Sequence, residues 1–329
     1  MIDKLPINIL AQLDDVTIFQ TAAFRNTVSQ SAVSQDTVFE QRVSESATSA
    51  QSDPYLLQMG QASFGEFNLG LHVNDDPTKV LANRMRLLSA INEHLALRQN
   101  LPVKRLHWVN QVHGRQVYDV DNHTVSMCPI DADAMISQQT QLGLAIMTAD
   151  CVPIVLYQPL SGQIAAIHAG WQGLAYGVIQ ATAQTFTLPG QIMAWIGVSI
   201  SQHHYEVGSE VRDKLRAGCL ENQLLSTVQI DNFDTLFSIS TDSEAKPNPE
   251  QVKTTLANNP KIKLDLPKLA AYQLQHAGIE VKNKADTCSY ADTCYYSYRR
   301  QTHLQQPATG RMALIIAHSS SINSMTEDK

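Results

Sequence analysis

The 329-residue sequence is poor in charged residues, which make up 17% of the chain where about 25% is typical of globular proteins. Its 24 Lys and Arg stand against 31 Asp and Glu, so the net charge at pH 7 is −7. A protein that coats nucleic acid needs a basic face, and we therefore expect no nucleic-acid partner. Uncharged polar residues fill the deficit, and a 43% hydrophobic share suffices for a soluble globular core.

Closely spaced cysteines and long apolar runs are also lacking. The five cysteines are odd in number and scattered, which argues against a disulfide framework: Cys128, Cys151, Cys219, Cys288 and Cys294. The longest apolar stretch, LGLAIMTADCVPIVLY, is too short and too polar to span a membrane, and the chain does not start with a basic and then apolar leader. We therefore expect a cytoplasmic protein in a reducing setting, without a membrane partner.

Two polar stretches interrupt the chain. In residues 27–61, thirteen of 35 residues are Ser or Gln and no hydrophobic period is sustained, which is typical of a long loop or a disordered insertion. A second polar stretch runs from about residue 221 to 263, and its NFDTLFSI segment is apolar enough to fold back onto the surface. Because the strong motifs lie on both sides of each stretch, we predict a single catalytic domain over residues 1–329 with two insertions.

Short apolar runs predict buried strands, namely LGLAIMT, VPIVLY, QIAAIHA, QIMAWIG and RMALIIAH. GLAYGVIQATAQTF has the length of a helix. LDLPKLAAYQLQHAG predicts a helix with Asp265 near its start, Pro267 in its first turn and Gly278 as its stop. Strands separated by few helices predict an α/β (α+β) fold of mixed layers rather than a regular βαβ repeat.

Three segments place chemically versatile side chains at strand ends or beside glycine, where active-site groups are commonly displayed. They are NQVHGRQV with His113, MTADCVPIV with Cys151, and AAIHAGWQG with His168. Zn²⁺ accepts imidazole nitrogen and thiolate sulfur, and three protein ligands leave a position for water or substrate. The spacing leaves two other interpretations open: a Cys–His nucleophilic pair, and a buried core thiol beside hydrogen-bonded histidines.

Possible anion contacts come from two further features. YYSYRR carries Arg299 and Arg300, and TGR carries Arg311; the forked guanidinium of Arg suits phosphate or carboxylate. The glycines of HAGWQG can form a turn whose backbone N–H groups face an anion, although a helix entry packed by Trp171 explains the same residues.

The order of these motifs resembles the YfiH/DUF152 family of purine nucleoside phosphorylase–adenosine deaminase proteins, once labelled polyphenol oxidases or laccase-domain proteins. The resemblance spans about Phe64 to Ala317 and rests on FNLGLHVNDDP…ANR, NQVHG, DADAMI, TADCVPIV, HAGWQGL, IGVSISQHHYEVG, LDL and SYRR…TGRMA. It implies a layered mixed-sheet sandwich flanked by helices, similar to the catalytic domain of cytotoxic necrotizing factor.

The same resemblance implies a Zn²⁺ cofactor at His113, Cys151 and His168, with Cys151 and Asp150 taking part in catalysis. Substrate contacts are expected from six residues: Arg25, Asn68, Gln111, Gln172, Arg299 and Arg300. Family members act on adenosine, inosine, guanosine and methylthioadenosine by phosphorolysis or deamination. A bacterial branch is assigned to peptidoglycan editing. The expected partner is thus a small molecule: a purine nucleoside, phosphate or a muramyl precursor.

The chain departs from the family pattern at three places. Gln172 stands where the family reads Arg in HAGWRG, Val198 replaces the Pro of IGP, and QTHLQQPA lengthens the spacer between SYRR and TGR. Gln donates hydrogen bonds but supplies no charge, so we expect deamination or hydrolysis to be favoured over phosphorolysis.

Four functions remain open from the sequence. A zinc-dependent purine nucleoside enzyme leads. The alternatives are a zinc amidase that removes wrongly incorporated L-Ser from the UDP-MurNAc precursor, a copper polyphenol oxidase, and a non-catalytic protein stabilised by zinc. Multicopper sites need many histidines in close pairs, and the absence of any HxH motif argues against the oxidase.

Overall fold

Two mixed β-sheets face each other in the part of the chain that the structure, a computed structural model, describes: residues 5–24, 62–122, 130–240 and 260–322. The strands are β1 Ile7–Gln12, β2 Val16–Thr21, β3 Arg105–His107, β4 Val117–Asp119, β5 Ala134–Ser137, β6 Leu142–Thr148, β7 Val152–Gln158, β8 Gln163–Ala169, β9 Met193–Ile196, β10 Glu206–Gly208, β11 Ser238–Ser240, β12 Lys261–Leu264, β13 Glu280–Val281 and β14 Met312–His318. The helices are α1 Pro77–Leu97, α2 Trp171–Tyr176, α3 Val178–Ala183, α4 Ser209–Glu221, α5 Thr227–Asp231, α6 Phe233–Phe237, α7 Leu266–His276 and α8 Tyr298–His303, with a 3-10 helix at Gln202–His204.

Both large sheets mix parallel and antiparallel pairs. The first has the order β1-β2-β14-β6-β3, in which only β3 and β6 are parallel. The second has the order β13-β9-β7-β8-β5-β4, in which the two outer pairs are parallel. A small antiparallel sheet, β10-β12-β11, lies beside them. The mixed α+β fold predicted from the sequence is confirmed.

The strand β7 shows how the layers are built, since its side chains alternate between two cores. Val155 and Tyr157 point into the core between the two sheets, while Ile154 and Leu156 join the core beneath helices α2, α3, α4 and α7. Helix α1 covers the outer face of the five-stranded sheet. Because both faces of the sheets are covered, the central strands are buried along their whole length and read as continuous apolar runs.

The five apolar runs form strands as predicted, and the LDLPKLAAYQLQHAG helix also forms as predicted. The side chain of Asp265 accepts a hydrogen bond from the Lys268 N–H at 3.0 Å, and Gly278 follows the helix with φ of 77°. The GLAYGVIQATAQTF segment differs from the prediction because it is split into α2 and α3. Gly177, with φ of 81°, ends the first helix in a left-handed conformation.

The second polar stretch is described at residues 221–240 and 260–263, where it forms α5, α6, β11 and part of β12. Its NFDTLFSI segment folds back onto the body of the protein as expected: Asn232 and Asp234 are exposed, while Phe233 and Phe237 are each 1% exposed and the Phe237 ring lies 5.2 Å from that of Tyr272 on α7. The first stretch, residues 27–61, lies outside the described residues, as does Arg25. Within the described ranges, no helix combines the length and apolarity needed to cross a membrane.

Candidate metal centre and substrate cavity

The chain crosses from one sheet to the other between β6 and β7, and the crossing is strained. Asp150 lies there with φ of 107°, a conformation that side-chain-bearing residues rarely adopt. Three hydrogen bonds hold it: the Ile200 N–H donates to its carbonyl at 2.9 Å, and its carboxylate accepts from the Ser289 hydroxyl and the Arg299 N–H, each at 2.7 Å. The crossing therefore has a fixed geometry and presents Cys151 at one end of the sandwich.

His113, Cys151 and His168 converge at this end from three separate segments. His113 lies on the loop between β3 and β4, and His168 lies near the end of β8. One ligand atom of each lies within 4.8 Å of the others, and Cys151 Sγ is 3.9 Å from His113 Nε2. A Cβ atom at Gly170 would lie 3.1 Å from His113 Cδ2 and 3.2 Å from Cys151 Sγ, so a glycine is needed beside the cluster.

Asp133, at the start of β5, fixes both histidines. Its fully buried carboxylate accepts hydrogen bonds from His168 Nδ1 at 2.8 Å, from the His113 N–H at 2.9 Å and from the Gly114 N–H at 2.6 Å. Because Nδ1 of His168 is engaged in this way, its Nε2 is the nitrogen left for a metal, and the carboxylate behind it fixes the orientation of the ring.

The charges in this cluster favour a deprotonated thiol. Burial opposes ionisation of Cys151, but the neighbouring His168 and His113 outweigh it and lower the thiol pKa from its usual 9.0. Burial likewise opposes the charge of His168, yet Cys151 and Asp133 raise its pKa above the usual 6.5. A thiolate is the form of cysteine that binds metal, and a metal ion would displace the proton from His168.

The donor set fits a metal ion. Two imidazole nitrogens and one thiolate sulfur suit zinc, and three protein ligands leave one position open towards the cavity. In the described ranges, this is the one group of three or more His, Cys, Asp or Glu side chains close enough to share an ion. A multicopper centre would require several such groups.

A cavity of about 520 Å³ opens next to the cluster, within the usual size range for small-molecule sites. Its lining is His72, Val109, Asn110, Gln111, His113, Met147, Thr148, Ala149, Asp150, Cys151, His168, Trp171, Gln172, Ile200, Tyr205, Leu266, Tyr298, Arg299 and Arg311. Neither Arg299 nor Arg311 forms an ion pair with a carboxylate among the described residues. The wall therefore carries positive charge that an anionic ligand could balance.

Four of the expected substrate and acid–base residues line this cavity. Asp150 and Gln172 are among them. Gln111 uses its amide to bind the backbone of Met147, donating to the carbonyl at 2.7 Å and accepting from the N–H at 2.9 Å. Arg299 donates to the Glu206 carbonyl at 2.6 Å. The structure thus places these residues in the same cavity as the candidate metal ligands His113, Cys151 and His168.

Asn68 and Arg300 do not line the cavity. The buried Asn68 amide oxygen accepts from the N–H groups of Gly70 and Arg311, at 2.9 and 2.8 Å. The Arg300 guanidinium donates to the carbonyls of Ser289 and Tyr290, both at 2.7 Å. Both side chains therefore bind backbone groups of neighbouring loops and hold those loops in place.

Several residues at the site were not assigned a role from the sequence. Asp133 is the most important of them, and its only signal was an acidic residue between alanines just before a buried run, in DADAMI. His72 and Tyr205 line the cavity without having been predicted. Arg311 was recognised as an anion-binding type of residue but not placed at this site.

Comparisons with known proteins match most of the chain. Residues 57–239 and 237–319 match the family model described as multi-copper polyphenol oxidoreductase laccase. A purine nucleoside phosphorylase of Pseudomonas aeruginosa is 33% identical over 260 residues, covering 78% of this chain and 88% of that protein. Purine nucleoside phosphorylase YfiH of Escherichia coli is 31% identical over 255 residues, covering 77% and 86%.

Solved structures share the fold. A Neisseria meningitidis protein assigned to DUF152 superposes with a TM-score of 0.64 at 24% identity, over 95% of this chain and 99% of that chain. A Bacillus licheniformis protein titled YfiH gives a TM-score of 0.63 at 20% identity, over 97% and 98%. At these identities the likeness speaks for the fold alone.

Proposed function

The chain belongs to the YfiH/DUF152 family, whose model carries the laccase description, and on that premise we propose that it is a zinc-dependent purine nucleoside enzyme. The reactions proposed are adenosine deamination and purine nucleoside phosphorolysis, including that of methylthioadenosine. One observation carries the proposal: the His–Cys–His group opens into a cavity of about 520 Å³, and two arginines in its wall form no ion pair with any carboxylate of the described residues. The relatives named purine nucleoside phosphorylase support the substrate class.

His113, Cys151 and His168 would hold the zinc ion, with Asp133 keeping His168 in the tautomer whose Nε2 can bind metal. When bound, zinc supplies Lewis-acid catalysis. The buried Asp133 carboxylate holds both histidines, and three hydrogen bonds hold Asp150 next to Cys151. Such a site is preorganised, since little needs to move when substrate arrives.

The cavity wall offers separate surfaces for the two halves of a nucleoside reaction. Trp171, Tyr205 and Tyr298 provide aromatic surface against which a purine base can pack. Arg299 and Arg311 provide positive charge for phosphate, and that charge also stabilises the negative charge that develops during phosphorolysis. The positive wall is the feature that favours an anionic co-substrate.

Asp150 is the proposed acid–base group. Its carboxylate already accepts hydrogen bonds from Ser289 and Arg299, one on each oxygen. Each carboxylate oxygen has two lone pairs, so both can still accept a proton or hydrogen bond from substrate. The same hydrogen bonds hold Asp150 in place, and its role therefore combines proton transfer with positioning of Arg299.

The test is a product assay on zinc-loaded protein given adenosine, with and without phosphate. We expect inosine from deamination, adenine from phosphorolysis, or both. Cys151→Ala should abolish turnover and lower the zinc content, because it removes the charged ligand. Absence of product from every purine nucleoside tried, in protein with zinc bound, would refute the proposal. The amidase alternative forms a second arm: release of L-Ser from UDP-MurNAc-L-Ser would establish it.

A further inference from the structure

A second sulfur–imidazole pair lies outside the metal cluster. Cys288, on the loop after β13, places its Sγ 3.5 Å from Nδ1 of His204 in the 3-10 helix. The two segments are joined by backbone: Cys288 pairs with Ser199, and the Ser289 N–H donates to the Ser199 carbonyl at 2.9 Å. The contact between thiol and imidazole is therefore set by the fold rather than by a chance side-chain rotamer.

The surroundings of this pair are polar, and the sulfur is accessible. The Ser201 N–H donates to Cys288 Sγ at 3.3 Å. The Arg300 guanidinium is held on the carbonyls of Ser289 and Tyr290 in the same loop. Cys288 is only half-buried, so a small molecule can reach it.

His204 is arranged to accept the thiol proton. Its ring stacks on Tyr290 at 4.7 Å with an interplanar angle of 23°, and Ser201 Oγ lies 3.3 Å from its Nδ1. Burial, together with the charges of His203 and Lys263, lowers the pKa of His204, so the ring is neutral at neutral pH. A neutral imidazole next to a thiol is the arrangement of a general base and its nucleophile.

We propose that Cys288 and His204 form a thiol-modification site that reacts with small-molecule disulfides. His204 takes the proton from Cys288, and the thiolate attacks one sulfur of the disulfide. A new S–S bond forms to Cys288 while the original S–S bond breaks, and the departing thiolate takes up the proton from His204. No net oxidation is needed beyond that carried by the disulfide itself.

Two other described cysteines, Cys219 and Cys294, lie in surroundings that oppose ionisation of their thiols. Burial raises the pKa of Cys219 to about 12. Burial and the nearby Asp292 raise that of Cys294 to about 11. Cys151 belongs to the metal cluster, and a bound zinc ion would protect it. The Cys288 site is distinct from the nucleoside cavity, so its reactivity does not depend on the proposed enzyme function.

The experiment incubates zinc-loaded protein with oxidised glutathione and measures adducts on each cysteine peptide by mass spectrometry without reduction. We expect the Cys288 peptide to gain glutathione at least about tenfold faster than the peptides of Cys219 and Cys294, since His204 lies beside Cys288 as a base whereas ionisation of the other two thiols is opposed. This comparison is made within the wild-type protein and needs no variant.

Two variants separate the role of the imidazole from its neighbourhood. His204→Asn keeps a polar group near Sγ but removes the base, and it should slow the Cys288 adduct by about tenfold. His276→Asn makes the same substitution at an exposed histidine that ends α7 and contributes nothing to the pKa of His204, and it should leave the rate unchanged. Equal rates for Cys288 and Cys294 in the wild-type protein, or an undiminished rate in His204→Asn, would overturn the proposal.

Discussion

An Asp–His pair occurs at each end of the β-sandwich, and the two pairs differ in burial and in geometry. At the cavity end, Asp133 and His168 are both buried and meet at 2.8 Å. At the opposite end, Asp15 lies 3.6 Å from His318 Nε2, and its carboxylate is 36% exposed. The pairing of β6 with β14 shows that the two ends lie a full strand apart. His318 pairs with the first residue of β6, whereas Met312 pairs with its last residue, just before the crossing to β7.

The difference lies in which nitrogen of the ring remains available. Asp133 engages Nδ1 of His168 and leaves Nε2 next to a thiol and a cavity. At the other end, Nε2 of His318 faces Asp15, and its buried Nδ1 has no hydrogen-bond partner in the part of the chain that the structure describes. The Asp15 carboxylate instead accepts a hydrogen bond from the Tyr157 hydroxyl, which lies 2.7 Å from each of its oxygens. A carboxylate–imidazole contact becomes a candidate metal site only where the second nitrogen meets further ligands.

The largest effect expected from this comparison is on metal affinity. Asp133→Asn retains the shape of the side chain but removes the charge that orients His168, and it can no longer accept from two backbone N–H groups as well. We expect zinc affinity to fall by about 10–100-fold, the range seen when carboxylates behind metal-binding histidines are changed. Competition with a chromophoric chelator measures this without any assay of turnover.

The matched control is Asp15→Asn at the opposite end of the sandwich. It alters an Asp–His pair that has no third ligand, so zinc affinity should stay at the wild-type value. Equal losses of affinity in the two variants would show that both act through global destabilisation, and the assignment of Asp133 as an orienting carboxylate would then fail.

The two ends also differ in how far the sequence predicts them. The apolar runs predict the central strands well because both faces of each sheet are covered. Asp133 was not predicted to contact His168, because the contact depends on the pairing of β5 with β8, in which Ala134 lies opposite Ile167. Such a register joins residues about thirty-five positions apart and leaves no periodic signal in the chain.

The residues at strand ends singled out His113, Cys151 and His168, and the resemblance to a family then favoured zinc among the interpretations left open. The resemblance was less informative about Arg299 and Arg300, which were both expected to contact substrate. They are consecutive residues on α8, and consecutive helical residues point in different directions, so that Arg299 faces the cavity while Arg300 binds loop carbonyls.

An intermediate effect is expected from adding charge at the cavity end. Gln172→Arg would place a third cation beside Arg299 and Arg311, and should raise the ratio of adenine to inosine formed from adenosine in the presence of phosphate. Since Gln172 is half-buried, we expect an increase of about tenfold or less, below the full contribution of a charge-assisted hydrogen bond. Gln172→Leu removes the amide without adding charge and should not raise the ratio. An unchanged ratio in Gln172→Arg would place this side chain away from the phosphate.

The smallest effect is expected at the opposite end, and it concerns stability alone. Tyr157→Phe removes the hydroxyl that donates a hydrogen bond to Asp15. It should lower the free energy of unfolding by about 1 kcal/mol, at the low end for bonds to charged groups because Asp15 is partly exposed.

The same end of the sandwich predicts a pH dependence of stability. Burial would raise the pKa of Asp15, but the nearby His318 and the hydrogen bond from Tyr157 lower it below the usual 3.8. A carboxyl group with a lowered folded-state pKa stabilises the fold at higher pH, and this contribution disappears as the pH falls through that pKa. The difference between wild type and Asp15→Asn in denaturant unfolding should therefore be constant above about pH 5 and shrink below about pH 4. A difference that instead grew towards acid pH would mean that the folded protein binds the Asp15 proton more tightly than the unfolded chain does. That result would contradict a lowered pKa of Asp15 in the folded protein.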